Sequence, residues 1–299
     1  MRAVVLGAAA GGGFPQWNSN AAACRRARAG DPAAPARTQA SLAVSADGER
    51  WALINASPDL REQIGRFPFL HPRSGLRSTP ISDVVLTGGD VDAIAGLLTL
   101  RERQPFSLWA TRRILDVLDA NPVFEVLARD VVARRELALD APQRLEAGLT
   151  VELFPVPGKA PLYLEADDAP PIVVDGTTVG AAISDGRKTL FYVPGCAAMT
   201  PALAARLEGA DLVLFDGTLW ADDEMIAAGL GAKTGRRMGH MSLSGPEGSL
   251  AAFEPIAVSR KVFVHINNSN PILLADSPER ALTERAGWEV AFDGMEFSL

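Results

Sequence analysis

Cysteine is nearly absent from this chain of 299 residues, which holds only Cys24 and Cys196. Two thiols so far apart make neither a disulfide framework nor a four-thiolate zinc site. A reduced, intracellular compartment is therefore expected. Positive charge is also in short supply: 29 Lys and Arg stand against 36 Asp and Glu, a formal net charge of -7. Such a chain lacks the clustered cations that neutralise nucleic-acid phosphates, and the short basic run Arg25–Arg28 reads as solvated surface. No apolar run approaches the ~20 residues that cross a bilayer. The opening Met1-Arg2 has neither a basic leader nor a convincing cleavage site, so the N-terminus reads as a first strand. These absences predict a soluble, cytoplasmic protein with no membrane span and no nucleic-acid partner.

What is present is ordinary globular material, 47% hydrophobic and 22% charged. Short β-branched runs recur along the chain, each bounded by Gly, Pro, Asp or Asn, as strands are. They are Val4–Leu6, Ser41–Val44, Trp51–Ile54, Val84–Leu86, Ser107–Ala110, Thr150–Phe154, Val179–Ile183, Thr189–Tyr192, Leu212–Phe215, Val262–Val264 and Val290–Phe292. Helical patterns lie between them at Val91–Arg103, Arg112–Ala120, Val123–Ala128, Pro201–Gly209, Asp222–Ala228 and Pro278–Arg285. Thr200-Pro201 and Ser277-Pro278 supply an N-cap followed by Pro at the first helical position. No linker or low-complexity stretch divides the chain. The simplest architecture is α/β, two packed sheets with helices on their outer faces, in one domain spanning residues 1–299.

Histidine is scarce: His71, His240 and His265 are the only three. His265 follows the run Val262–Val264, Asp216 ends Leu212–Phe215, and Asp90 and Asp92 follow Val84–Thr87. Three strand ends thus each deliver a metal-competent side chain, and the crevice beyond parallel strand ends is the usual ligand site. His240, in the Gly-rich loop 235–242, can fold over the same crevice. Two imidazoles with carboxylates suit a non-haem Fe(II) site with open positions, and zinc accepts the same donors. The alternative reading makes Asp216 and Asp92 turn or cap residues. His71, in a Pro-flanked loop, reads as surface. Asn267, Asn268 and Asn270 can hold a tight turn or contact a ligand. Gly7–Gly13 after a strand suggests a dinucleotide loop but lacks Gly at the second required position, and Phe14-Pro15 blocks the helix that should follow. Close backbone approach is the better account. Cys196 has no base near it in sequence and does not read as a nucleophile.

Longer stretches carry a family resemblance. Leu6–Asn18, Arg37-Thr38-Gln39, Asn55–Asp59, Ala95–Glu102, Asp216–Trp220, Met238-Gly239-His240, His265–Asn268 and Phe292–Met295 look like the PqqB family of coenzyme PQQ (pyrroloquinoline quinone) synthesis proteins. That family is similar to the metallo-β-lactamase superfamily, which implies a four-layer αββα sandwich. The superfamily's H-x-H-x-D-H motif falls here on Gly88, Asp90, Asp92 and Ala93, so only Asp92 is retained. The segments for a third His and a bridging Asp read Pro157-Gly158-Lys159 and Val193-Pro194-Gly195. A dinuclear zinc β-lactamase is not expected.

The resemblance implies one of two roles. The first is a non-haem iron hydroxylase acting on the tyrosine moiety of a Glu-Tyr-derived PQQ precursor. The second is a binding or carrier role in transport of PQQ or its precursor towards the periplasm. The ligand candidates carried over are Asp92, Asp216, His240 and His265, with Asp90 as a further candidate, for Fe(II) or zinc. Many relatives have His where this chain has Ala93. Many also carry Cys-x-Cys-x-x-Cys where this chain has Ser19, Ala21 and Cys24, so no structural zinc is expected. Substrate carboxylates would meet Lys159, Arg236 or Arg237, with Asn267 and Asn268 beside them. Other PQQ-pathway proteins and a second copy of the chain, as a homodimer, stand as candidate partners.

Overall fold

The computed structural model describes residues 1–165 and 172–299. In chain order its strands are β1 (Arg2–Gly7), β2 (Ser41–Ser45), β3 (Trp51–Ile54), β4 (Ile81–Val85), β5 (Phe106–Ala110), β6 (Val132–Glu136), β7 (Gln143–Arg144), β8 (Thr150–Pro155), β9 (Val179–Ser184), β10 (Thr189–Val193), β11 (Leu212–Asp216), β12 (Lys261–Val264), β13 (Trp288–Val290) and β14 (Glu296–Ser298). They form two sheets, in the orders β14-β1-β2-β3-β4-β5-β6 and β13-β12-β11-β10-β9-β8-β7. Each sheet is mixed. β3 through β6 run parallel in the first and β10 through β13 in the second, while the remaining pairs are antiparallel.

The alternation along β11 and β12 explains the layering. Leu212, Leu214, Val262 and Val264 belong to the large apolar core shared with residues of the first sheet, such as Leu42, Leu53 and Val84. Val213, Phe215 and Phe263 point the other way, into a second core with Leu203 and Leu207 of helix Pro201–Leu207 and with Phe253. A strand buried on both faces reads as a continuous apolar run, as Leu212–Phe215 does. Trp288 of β13 stacks on Phe263 at 3.9 Å between centroids and meets Phe253 edge-on at 4.9 Å. The expected two sheets with outer helices are present. No helix is long and apolar enough to cross a membrane among the described residues.

Several boundaries differ from expectation. The pattern Val91–Arg103 becomes one α-helical turn, Val91–Ile94, followed by a 3₁₀ stretch, Ala95–Leu100. Val123–Ala128 is likewise 3₁₀, over Pro122–Val126, and Asp222–Ala228 shortens to Glu224–Ala227. The last predicted run, Val290–Phe292, lies two residues late, because β13 is Trp288–Val290. Helices Ala22–Arg28 and Leu60–Arg66 and strands β6, β7 and β14 had no expectation at all.

At one edge the sheets are joined by backbone. Ala10 N–H donates to Ile266 O at 2.8 Å and Ile266 N–H to Ala8 O at 3.0 Å, while Val179 N–H donates to Thr87 O at 2.9 Å. The small residues of 7–13 permit that crossing. A Cβ on Gly7 would stand 2.2 Å from Gln39 O, so the run serves close backbone approach.

Candidate metal centre

The C-terminal ends of β4, β11 and β12 converge where the two sheets meet. A pocket of about 730 Å³ opens there, and Asp90, Asp92, His240, His265, Lys159 and Asn267 all line it. Asp92 Oδ2 lies 2.8 Å from His265 Nε2. One ligand atom each from Asp216, His240 and His265 lie within 4.8 Å of one another, and the two imidazole rings stack at 5.3 Å.

Local backbone geometry puts each group in place. Asp90 opens the turn Val91–Ile94, yet its side chain makes no capping bond, so the carboxylate is left to the pocket. His265, just past β12, has φ 55°. A branch-free glycine or an asparagine is the usual occupant of that left-handed region, and strain of this kind collects at functional sites. The loop 235–242 does fold over the crevice. It is held by His240 N–H to Gly235 O at 2.9 Å and Met241 N–H to Cys196 O at 2.7 Å.

Asp216 does two jobs. Its Oδ1 accepts from Thr218 N–H at 3.0 Å and Thr218 Oγ1 at 2.6 Å, which is turn chemistry. Its Oδ2 accepts from Cys196 N–H at 2.9 Å and faces His240 Nδ1 at 2.7 Å. A carboxylate only accepts, so His240 carries a proton on Nδ1. Thr218 Oγ1 also lies 2.9 Å from His265 Nδ1. That hydroxyl has one proton, and the short contact to the charged Asp216 oxygen claims it. With that proton directed at Asp216, Thr218 Oγ1 accepts from His265 Nδ1, while His265 Nε2 faces Asp92. Burial alone would lower the His265 pKa, but the bond to Asp92 and the charges of Asp216 and Asp90 outweigh burial and raise it. Asp90 is pushed up by burial and then by neighbouring Asp92. For Asp92 burial acts upward, and the His265 bond with the His265 and His240 charges brings the net shift below the usual carboxylate range.

This donor set fits a divalent ion. Two ligands about 2.1 Å from one ion and at right angles around it stand about 3 Å apart, which is close to the Asp92–His265 spacing. A cation there would replace the Nε2 proton, while Thr218 still takes the Nδ1 proton.

Other candidates divide. Lys159 and Asn267 line the pocket, whereas Asn268 is buried beneath it, donating to Gln16 Oε1 and accepting from Cys24 Sγ at 3.6 Å. Arg237 does not line the pocket; it pairs with Glu165 at 2.5 Å. Arg236 pairs with Glu247 at 2.6 Å on the surface. His71 stands apart from the cluster, against Gly65 O at 3.3 Å. Ala93 lines the pocket with its methyl group. Ser19, Ala21 and Cys24 leave one thiol, which is buried and free. Thr218 and Glu165 were not foreseen. Thr218 had a signal, its place in Asp-Gly-Thr directly after a strand; Glu165 had none.

A sequence profile described as the beta-lactamase superfamily domain matches residues 50–266. The coenzyme PQQ synthesis protein B of Gluconacetobacter diazotrophicus is 64% identical, over 99% of this chain and 98% of its own length. The protein of the same name from Methylobacterium nodulans is 57% identical, with both chains covered in full. The crystal structure of Zn(2+)-bound PqqB from Methylobacterium extorquens superposes with a TM-score of 0.97 at 54% identity, covering 100% of each chain. A diphosphatase of the PhnP family, at 22% identity, shares the fold with a TM-score of 0.68, over 99% of this chain and 97% of its own.

Proposed function

The chain belongs to the coenzyme PQQ synthesis protein B family, and from that premise we propose that it is an iron-dependent hydroxylase acting on the tyrosine moiety of a Glu-Tyr-derived precursor in PQQ biosynthesis. The observation that carries this reading is the convergence of Asp92, His265 and His240 in one pocket with an uncommitted Asp90. Two imidazoles and a carboxylate with open positions are the donor pattern of non-haem iron oxygenases. Residues 1–299 act as one domain in this reading, because the donors come from both sheets, and the step takes place in the cytoplasm.

Asp92, His240 and His265 would hold the ion, with Asp90 as a further donor. Bound Fe(II) would supply the activation of dioxygen. The remaining work belongs to the chain. Asp216 and Thr218 fix the tautomers and ring orientations of both imidazoles, the usual role of partners behind metal ligands. Lys159 and Asn267 offer hydrogen-bond donors to the polar end of a substrate. Leu162 and Tyr163 line the mouth and would exclude water once a ligand is seated.

The test is metal content after anaerobic Fe(II) reconstitution. The native chain is compared with His240→Ala/His265→Asn, where Asn tolerates the φ of 55° at that position. About one iron per native chain, lost in the variant, is expected for a mononuclear site, followed by oxygen consumption with tyrosine-containing dipeptides. Absence of iron from both proteins would overturn the hydroxylase. A carrier of PQQ or its precursor, which the methyl group of Ala93 favours by removing a donor, would then be the better account.

A further inference from the structure

Three cations surround one carboxylate at the edge of the pocket. Glu165 Oε2 lies 2.9 Å from Lys233 Nζ and 3.9 Å from Lys159 Nζ, and Glu165 Oε1 lies 2.5 Å from Arg237 Nη1. Among the described residues Lys159 and Lys233 are the cations that line the pocket, while Glu165 does not line it. Among the described residues three positive charges meet one negative there, in a chain whose net charge is -7. Among the described residues Lys159 is also under-used. Its side chain is 14% exposed, its ammonium donates to Ala160 O at 3.2 Å, and 3.9 Å to Glu165 is beyond hydrogen-bond length. An ammonium has further protons to give, and a poorly solvated one is costly to leave half-satisfied.

Glu165 sits among its cations with its side chain 12% exposed. It follows the 3₁₀ turn Leu162–Leu164, in which Leu162 is 66% exposed and Leu164 48%. The turn is tied across the mouth by Tyr163 Oη donating to Gly89 O at 2.6 Å. The Lys159 stem runs against Gly239, next to His240, and the Lys159 charge is felt at Asp90. The pocket therefore has an acidic, metal-competent end and a cationic end bridged by Lys159.

We propose that Lys159 and Lys233 form a carboxylate subsite that Glu165 occupies in the ligand-free protein and yields to a carboxylate of the ligand. The ligand class is an anionic aromatic polyacid. This assignment rests on the proposed place of the chain in PQQ biosynthesis, where both precursor and product carry carboxylates. An intramolecular carboxylate that must leave lowers apparent affinity by the fraction of time it occupies the site.

The experiment is calorimetric titration of the metal-free protein with PQQ itself, comparing native chain, E165Q, K159Q, K233Q and E247Q. Glu247 pairs with exposed Arg236, so E247Q makes the same charge change outside the subsite. E165Q is expected to bind PQQ roughly tenfold tighter or more. K159Q and K233Q should bind several-fold weaker, and E247Q within about twofold of native, as suits a screened surface charge. Equal or weaker binding by E165Q would show that Glu165 supports the lysines rather than competing with a ligand, and would overturn the proposal. So would equal tightening by E247Q, or no PQQ binding by any form. The titration holds no metal, so it is independent of iron: tight E165Q binding without iron uptake would keep the subsite and remove the hydroxylase.

Discussion

His265 faces Asp92 at Nε2 and the Thr218 hydroxyl at Nδ1, and the Asp92 carboxylate accepts a proton from Nε2. A metal ion entering between His265 and Asp92 must therefore displace a proton. The raised pKa of His265 sets the direction. Below that pKa the ring holds the proton and competes with metal; above it the proton is gone and affinity levels off. Metal affinity should thus climb with pH from the ordinary imidazole range upward, with release of about one proton per ion near neutrality. Calorimetry in two buffers of different ionisation heat measures that release, and none at all would mean that His265 is neutral. At this scale much of the site is legible in the sequence. His265 and Asp92 stand out as rare or charged residues soon after apolar runs, and His240 as a rare residue in a Gly-rich loop. Thr218 and Glu165 do not, since one hydroxyl or one glutamate among many acquires meaning only from what surrounds it. Burial pushes the Cys196 thiol up to about 12, which leaves it little thiolate character.

Elements were harder to read than residues where tertiary contacts overrode periodicity. The pattern Val91–Arg103 is helical by spacing, but the chain tightens at Ala95 because it is pinned to the end of β3. Ala56 N–H donates to Ala93 O at 2.8 Å, and Gly96 N–H donates to Ala56 O at 2.8 Å. β6 escaped notice because Val-Ala-Arg-Arg-Glu is mostly polar, as befits the edge of a sheet. The pinned segment carries Asp90 and Asp92, so its seating decides the metal site. A Cβ on Gly96 would stand 2.1 Å from Ser57 O. Gly96→Ala must push the whole segment off Ala56, a cost of about 1–3 kcal/mol or more for an overpacked contact. The expected outcome is a lower Tm together with weaker metal binding, measured on one preparation. An unchanged metal affinity would show that Asp92 is not seated through Ala56 and Gly96.

The two sheets face each other across a shared apolar core, and backbone hydrogen bonds join them near the site and again where Ala46 N–H donates to Ala147 O at 3.1 Å. Asp90 and Asp92 descend from β4 of the first sheet; Asp216, His240 and His265 belong to the side of the second. An ion held by Asp92 and His265 is then a cross-link between sheets, and apolar packing alone has no directional counterpart to it. The alternating runs in the sequence made two sheets with outer helices readable, because strand periodicity survives without knowledge of partners. Which sheet each strand joins was not readable, since both sheets mix parallel and antiparallel pairs of similar composition. The cross-link has a thermodynamic signature. An ion that binds only the folded chain stabilises it by RT ln(1 + [L]/Kd), about 2.7 kcal/mol at a hundredfold excess over Kd. Saturating Fe(II) or Zn(II) should raise the Tm of the native chain by several degrees, the shift expected for that free energy at this size. His265→Asn should lose the shift while starting from a similar metal-free Tm. If native chain and variant are stabilised alike, the ion sits elsewhere and the sheets are not joined through Asp92 and His265.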